Sequence, residues 1–181
     1  MKKKRVDNNI SYFLILVAGI LLLSLFLDNF VAYFFNNLHG TVLDSFFVFI
    51  TNEYFVSFLI VIGFFTLWYK DIKIKYVLAI IITYMIAFSL KYLVNRPRPF
   101  EILNITPLVS ASSSSFPSMH TFFIFAALPF IYFTFPKYKY LTLTIAILIA
   151  FSRIFVGVHY LSDVLFGATF GFLLGYYIYR K

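Results

Sequence analysis

The chain has 181 residues, of which 62% are hydrophobic and 12% charged, and its formal net charge is +8. Soluble domains are about 45–50% apolar and about 25% charged, so this composition excludes disorder and argues against a soluble domain. Cysteine is absent, which excludes disulfides and thiolate chemistry. The basic residues lie between apolar runs rather than along one stripe, so the positive charge does not indicate nucleic-acid binding.

Six apolar segments predict the membrane-spanning helices of an all-α, polytopic membrane protein. In chain order they are residues 11–27, 54–69, 76–94, 119–135, 140–158 and 160–179. The first segment follows a basic start and has no small-residue cleavage pattern after it, so we expect an uncleaved anchor rather than a signal peptide. No linker-like composition divides the chain, and residues 1–181 are predicted to form a single domain.

Residues 30–50 are also apolar, but polar residues and a glycine interrupt them. The uninterrupted pieces are too short to cross a bilayer. We therefore expect this segment to lie at the membrane interface, as one or two aromatic helices between the first and second spans. His39 lies among the interrupting residues and is interpreted as a hydrogen-bonded polar group.

The distribution of lysine and arginine predicts the orientation. With the N-terminus inside, the cytoplasmic segments contain 11 of the 15 basic residues, as the positive-inside rule requires. Both termini are then cytoplasmic, and the third-to-fourth and fifth-to-sixth connections lie together on the outer face of the plasma membrane. Four basic residues remain on that face, namely Lys91, Arg96, Arg98 and Arg153.

These cations share the outer face with His120, His159 and Asp163. Charge near an apolar span is costly and is usually retained for a functional pairing. Arginine forks and a lysine ammonium suit a tetrahedral oxyanion. A zinc site that uses the two histidines and the carboxylate is the weaker alternative, because the neighbouring cations repel a divalent metal.

The spacing of two of these residues suggests a prepared imidazole. His159 and Asp163 are four residues apart, so on a helical turn the carboxylate holds one ring nitrogen and leaves the other free. A histidine prepared in this way acts as a nucleophile or a base. Pro97 and Pro99 flank Arg98, prevent a regular helix from continuing, and are predicted to form a rigid bracket that aims it.

Three segments resemble known family motifs: residues 91–99 (KYLVNRPRP), 117–120 (PSMH) and 152–163 (SRIFVGVHYLSD). They are similar to the motifs KxxxxxxRP, PSGH and SRxxxxxHxxxD of the type 2 phosphatidic acid phosphatase superfamily. The six-span layout resembles the membrane branch, which contains undecaprenyl-diphosphatase-like and phosphatidylglycerophosphatase-like proteins. Met119 replaces the family glycine, which removes easy access to positive φ but keeps the backbone N–H available.

The resemblance implies a metal-independent phosphohydrolase that acts through a phosphohistidine and needs no cofactor. His159 is then the nucleophile, Asp163 orients it, and His120 protonates the leaving oxygen. The implied phosphate-binding residues are Lys91, Arg98, Ser118 and Arg153. Secondary candidates are Arg96, Met119 and Ser152: Arg96 contacts a second phosphate or faces lipid headgroups, and Ser152 has a structural or supporting role.

An outward-facing site on a chain with little mass outside the membrane favours a lipid phosphate as substrate and the bilayer as partner. Within that class we expect a polyprenyl diphosphate of the undecaprenyl type, with phosphatidylglycerophosphate and phosphatidate as alternatives. A lipid phosphotransferase would use the same residues. A phospholipid transporter would also use a cationic pocket, but it would not need a paired histidine and carboxylate.

Two further patterns carry structural predictions. Gly167, Gly171 and Gly175 recur every four residues and give the sixth span a smooth face for close helix packing. We expect the helix that bears Arg153 to occupy this face, with dimerisation as the alternative. The serine run, residues 112–115, is predicted to be a flexible lid or hinge, with a plain spacer as the alternative.

Overall fold

The computed structural model describes residues 2–40 and 42–181. Helix accounts for 77% of the structure, and no strand occurs in the described ranges, which confirms the all-α prediction. The helices in chain order are α1 (Lys2–Asn36), α2 (Val42–Thr51), α3 (Glu53–Thr66), α4 (Lys73–Val94), α5 (Pro99–Ile102), α6 (Met119–Thr134), α7 (Lys139–Phe155) and α8 (Leu161–Arg180). A 3-10 turn, Pro136–Tyr138, precedes α7.

Several helices have the length and apolar character of membrane spans. In the described part of the chain, four segments meet this test individually: Leu14–Asn36, Lys73–Ile102, Pro136–Phe155 and Leu161–Arg180. α2 and α3 meet it only as a pair, bent by 50° at their junction. α6 is apolar but has only 16 residues. The chain is thus a multi-pass membrane protein, and the count of six spans stays a prediction.

Helix α1 is longer than the predicted first span, because it ends at Asn36 and not at residue 27. Residues 30–35 are apolar and mostly aromatic and contain neither glycine nor proline, so nothing stops the helix before the two asparagines. The chain then turns through Gly40, whose φ is +89°. The first part of the predicted interfacial segment therefore belongs to α1.

The second part of that segment, α2, packs against α7 as a member of the bundle. The rings of Phe47 and Phe155 have centroids 4.4 Å apart, and both side chains are buried with Val156. Nearby, Nε2 of His39 donates to the carbonyl oxygen of Phe155 at 2.7 Å, which confirms that His39 is a hydrogen-bonded polar residue. These contacts hold α2 at the end of α7.

The glycine face of α8 contacts α6. A Cβ on Gly171 would lie 2.5 Å from the carbonyl oxygen of Phe122, and Gly175 approaches the backbone of Ala126 more closely still. The prediction that the helix bearing Arg153 covers this face is therefore wrong. Only residues without a Cβ allow α6 and α8 to approach at this distance, and the approach brings the N-terminal ends of the two helices together.

Gly175→Ala should destabilise the protein by about 1–3 kcal/mol, because the new Cβ collides with backbone atoms of Ala126 that cannot move without separating α6 from α8. Gly19→Ala is the matched control, since nothing lies within 4 Å of a Cβ at that position. Thermal unfolding in detergent micelles measures the difference. Equal midpoints for the two variants would contradict the close packing of α6 on α8.

Candidate active site

The two connections that carry the motif residues lie at the same end of the bundle. Hydrogen bonds join them: the Leu108 N–H donates to the Val156 carbonyl at 3.0 Å, and the Ser118 N–H donates to the Asp163 carbonyl at 3.4 Å. These bonds place the start of α6 beside the start of α8. The sequence predicts this meeting, because both connections must lie on one side of the membrane.

A cavity of about 620 Å³ lies between these connections and the α2–α3 junction. The predicted site residues in its lining are Lys91, Arg98, Met119, His120, Arg153 and His159. Three cations and two histidines therefore converge on one space. Among the described residues, no group of three or more histidine, cysteine or carboxylate side chains has the arrangement of a metal site.

Arg98 lies in an extended backbone segment at the start of α5, where Pro99 is the first helical residue. Its Nε donates to the Ser113 carbonyl at 2.5 Å and its Nη1 to the Val158 carbonyl at 2.8 Å. A guanidinium has five N–H donors, so these contacts fix its plane and still leave donors for an oxyanion. The side chain is 4% exposed, as a bracketed and aimed arginine should be.

The serine run holds the cations in place. The Lys91 ammonium donates to the carbonyl of Ser114, and the Ser114 hydroxyl donates to the Lys91 carbonyl at 2.9 Å. Ser113 accepts from Arg98 through its carbonyl and its hydroxyl. The serine run is therefore neither the predicted flexible lid nor a plain spacer. Buried cations need acceptors, and the backbone carbonyls of this connection supply them.

Arg153, in the last turn of α7, is held from α2. Its Nη1 donates to the hydroxyl of Thr51 and, at 3.3 Å, to the Thr51 carbonyl. Its Nε is buried and has no hydrogen-bond partner among the described residues. A buried unpaired donor is costly, so the Arg153 side chain is not fully compensated by its protein contacts. Thr51 was not predicted from the sequence, where it is an ordinary threonine at the end of an apolar run.

His159 lies in the turn before α8, and Asp163 lies in the first turn of that helix. Nδ1 of His159 is 3.6 Å from Oδ2 of Asp163 and 3.5 Å from the hydroxyl of Ser115, which donates to Oδ2 at 2.5 Å. The protein contacts of the ring are at Nδ1, so Nε2 is the nitrogen left for chemistry. Burial lowers the pKa of His159 to about 3, so the imidazole is neutral at neutral pH.

Arg96 has neither of its predicted roles in the structure. Its Nη1 donates to Oδ1 of Asp163 at 2.6 Å, and its Nη2 donates to Oδ2 of Asp28 at 2.7 Å. The guanidinium also lies over the ring of Tyr160, 4.0 Å from the centroid. Asp28 was missed by the sequence analysis, although a carboxylate inside an apolar span is a signal for a buried ion pair.

Of the remaining candidates, Ser118 and Ser152 lie outside the cavity lining and Met119 is part of it. The hydroxyl of Ser118 is 3.0 Å from that of Thr121 and is outside the cavity lining. Ser152 donates to the carbonyl of Ile149 in its own helix at 2.7 Å, as a structural residue does. Met119 is the first residue of α6 and has no positive φ, so the position does not use the backbone freedom of a glycine.

A cavity lined by buried cations and histidines therefore lies at one end of an α-helical membrane bundle. Residues 72–181 match the PAP2 superfamily, and the chain belongs to this superfamily. The matched region begins just before α4 and contains all three motif segments. The resemblance inferred from the motifs is therefore confirmed.

Named relatives agree with this assignment. The chain is 32% identical over 147 residues to the undecaprenyl-diphosphatase BcrC of Bacillus subtilis. The aligned region covers 78% of this chain and 76% of that protein. It superposes on the PAP2 type phosphatidylglycerolphosphate phosphatase of Bacillus subtilis with a TM-score of 0.72, at 27% identity and over 93% and 91% of the two chains. For LpxE of Aquifex aeolicus the TM-score is 0.73 at 27% identity, over 86% and 96%.

The free energy of unfolding should fall between pH 7 and pH 5 because of His159. The unfolded histidine takes up a proton near pH 6.5, whereas the folded one does so only near its lowered pKa of about 3. The stabilising contribution is complete above pH 6.5 and decreases as the pH falls, by about 2 kcal/mol over this range.

Denaturant titration in micelles measures this effect against His159→Gln, which removes the titrating group. The native protein should lose more stability than the variant between the two pH values. Parallel losses in the two proteins would contradict a neutral, buried His159.

Proposed function

We propose that this chain is a metal-independent lipid phosphate phosphatase that works through a phosphohistidine, with a polyprenyl diphosphate of the undecaprenyl type as its preferred substrate. The observation that carries the proposal is the single cavity in which three buried cations surround two histidines. One of these histidines is His159, whose Nδ1 lies beside the Asp163 carboxylate and the Ser115 hydroxyl.

The cations bind the phosphoryl group. Lys91, Arg98 and Arg153 donate to its non-bridging oxygens, and the first-turn N–H groups of α6, at Met119 and His120, add the positive end of a helix. These donors are fixed before the substrate arrives, because the serine run and Thr51 hold their side chains. Fixed charge of this kind stabilises the transition state of phosphoryl transfer without reorganisation.

Two displacements at phosphorus complete the reaction. In the first, the lone pair on Nε2 of His159 forms the N–P bond, the bond to the leaving oxygen breaks, and His120 gives that oxygen a proton. Asp163 supports the positive charge that develops on the imidazole through Nδ1–H. In the second, His120 takes a proton from water, the water oxygen attacks phosphorus, and the N–P bond breaks to release phosphate.

The substrate class follows from the position of the cavity and from the relatives. The cavity lies at the end of membrane-spanning helices, where a lipid phosphate reaches it from the bilayer. The undecaprenyl-diphosphatase among the relatives covers most of this chain and supports a polyprenyl diphosphate. The phosphatidylglycerolphosphate phosphatase fold supports a phospholipid monoester such as phosphatidylglycerophosphate or phosphatidate as the second candidate.

We place the cavity on the extracytoplasmic face of the plasma membrane, with both termini in the cytoplasm. The helices run between the end that holds the cavity and the opposite end. The opposite end carries basic residues, namely Lys73 at the start of α4, Lys139 at the start of α7 and Arg180 at the end of α8. Such a basic end marks the cytoplasmic side. A lipid phosphate of the outer leaflet then reaches the cavity directly.

Phosphate release in detergent tests the proposal, with a chelator present and with polyprenyl diphosphate, phosphatidylglycerophosphate and phosphatidate offered in parallel. We expect chelator-resistant release, fastest from the diphosphate, and loss of release in His159→Ala because the N–P bond cannot form. His39→Gln is the matched histidine control, since His39 lies outside the cavity lining and bonds to a backbone carbonyl.

The outcomes separate the alternatives. Phosphate release by His159→Ala at the native rate would refute the phosphohistidine. Phosphohistidine enzyme that passes its label to an added second lipid, instead of releasing it as phosphate, would identify a phosphotransferase. Absence of release from every lipid by folded protein would favour transport.

Thr51→Val should raise the KM for the lipid phosphate about tenfold, because Arg153 loses a charge-assisted hydrogen bond that holds its guanidinium in the cavity. The matched control is Thr66→Val, whose hydroxyl donates only within its own helix, to Ile62 at 2.8 Å. Steady-state kinetics on the preferred lipid is the measurement. An unchanged KM in Thr51→Val would show that α2 does not orient Arg153 for binding.

A further inference from the structure

A carboxylate of α1, on a helix that lies outside the family match, binds Arg96, which in turn binds Asp163. Asp28 is 2% exposed, although it lies in an apolar membrane span. Its Oδ2 accepts from Arg96 at 2.7 Å and from the Ser162 hydroxyl at 2.5 Å, and its Oδ1 accepts from the Ser162 N–H at 2.9 Å. Both carboxylate oxygens of Asp28 therefore accept hydrogen bonds from Ser162, at the start of α8.

Arg96 connects the two carboxylates. One terminal nitrogen donates to Asp28 and the other donates to Oδ1 of Asp163 at 2.6 Å. The ring of Tyr160 lies against the guanidinium plane and restricts its rotation. A planar fork with a partner at each end sets the distance between those partners, which a lysine ammonium cannot do.

The two oxygens of Asp163 have different partners. Oδ1 takes the arginine, whereas Oδ2 accepts from the Ser115 hydroxyl and from the Tyr160 N–H and faces Nδ1 of His159. A carboxylate is rigid and planar, so the position of Oδ1 determines the direction of Oδ2. The orientation of His159 thus depends on where Arg96 is held.

A structural role at the helix start does not explain the charge on Asp28. A serine, threonine or asparagine accepts the N–H of a first helical turn equally well. An ionised carboxylate in an apolar span is costly, and a cation paired with it compensates for this cost. The cation here is Arg96, whose other partner is the carboxylate beside the histidine.

We infer that Asp28 is a positioning residue of the phosphatase reaction, which acts through Arg96 to hold the Asp163 carboxylate that orients His159. The inference rests on the proposed function. Asp28 lies outside the cavity lining and acts only through other side chains. Its loss should therefore affect the chemical step and not the binding of the phosphoryl group.

The test is Asp28→Asn in the full chain, assayed in micelles on the lipid phosphate that the native protein hydrolyses fastest. Asparagine keeps the shape and can still bond to Ser162, but it removes the charge partner of Arg96. We expect kcat to fall about tenfold to a hundredfold and KM to stay within about twofold. Ser24→Ala is the matched control, because Ser24 is equally buried on α1 and bonds only to Leu21 of its own helix.

A second variant keeps the test decisive if Asp28→Asn shows no cooperative thermal transition. Arg96→Lys preserves the positive charge but cannot bridge two carboxylates, so it should also lower kcat with little change in KM. The double variant should be no slower than Arg96→Lys alone, because both residues act on Asp163 by one route.

The outcomes distinguish the two levels of inference. An inactive native protein overturns the proposed function and this inference with it. Native activity that requires His159, together with full kcat in Asp28→Asn or Arg96→Lys, overturns the inference alone. Equal losses of kcat in Asp28→Asn and Ser24→Ala, or additive losses in the double variant, would indicate general damage to α1 and overturn it as well.

Discussion

Buried positive charge at one end of an apolar bundle is the constraint on which the rest of the site depends. Lys91, Arg98 and Arg153 are buried there and Arg96 lies half-buried beside them, and each needs acceptors that the bilayer cannot supply. Lys91, Arg98 and Arg153 receive neutral acceptors, namely carbonyl and hydroxyl oxygens. Arg96 alone receives carboxylates at both ends of its fork.

This difference in acceptors separates two kinds of cation. A cation held by neutral groups is fixed in place but keeps its charge, so it attracts an anion. A cation held between two carboxylates is compensated and serves as a mechanical link. Arg96 and Arg98 are two residues apart in the sequence, yet the first is directed to the carboxylates behind the histidine and the second to the cavity. Their roles are determined by their partners and not by their residue type.

The sequence predicts the parts of this arrangement that depend on local pattern. Apolar runs predict α3, α4, α6, α7 and α8 with small errors at their ends, and the side of the membrane on which each connection lies predicts that the motif residues meet. It does not predict partners that lie far away in the chain. Nothing near Arg96 shows that its acceptor is Asp28, 68 residues earlier. The serine run has the composition of a flexible linker, but it holds Lys91 and Arg98 mainly through backbone carbonyls, which every residue type carries.

The glycine face illustrates the same limit. Gly167, Gly171 and Gly175 predict a close helix contact correctly, but α6 and α7 are both neighbours of α8, and residue size alone does not choose between them. The site distinguishes the two neighbours. The Ser118 N–H at the start of α6 donates to the Asp163 carbonyl, so α6 must pack on α8 for these motif residues to meet.

Helices α1 to α3 complete the site from outside the family match. The matched region, residues 72–181, contains the motif residues, whereas Asp28 on α1 and Thr51 on α2 hold two of its arginines. The site therefore depends on α1 and α2 as well as on the motif helices, because without them Arg153 loses its Thr51 acceptors and Arg96 loses Asp28.

The same charge balance links binding to stability. Arg153 is supported by neutral oxygens of Thr51 and keeps a buried Nε without a partner among the described residues. An oxyanion bound in the cavity, as the proposed function requires, would offset the repulsion among the three cations that have only neutral acceptors. Because a ligand that binds only the folded state stabilises it, phosphate binding and relief of this repulsion are one event. On the proposed function, the uncompensated charge is the feature that recruits the lipid phosphate.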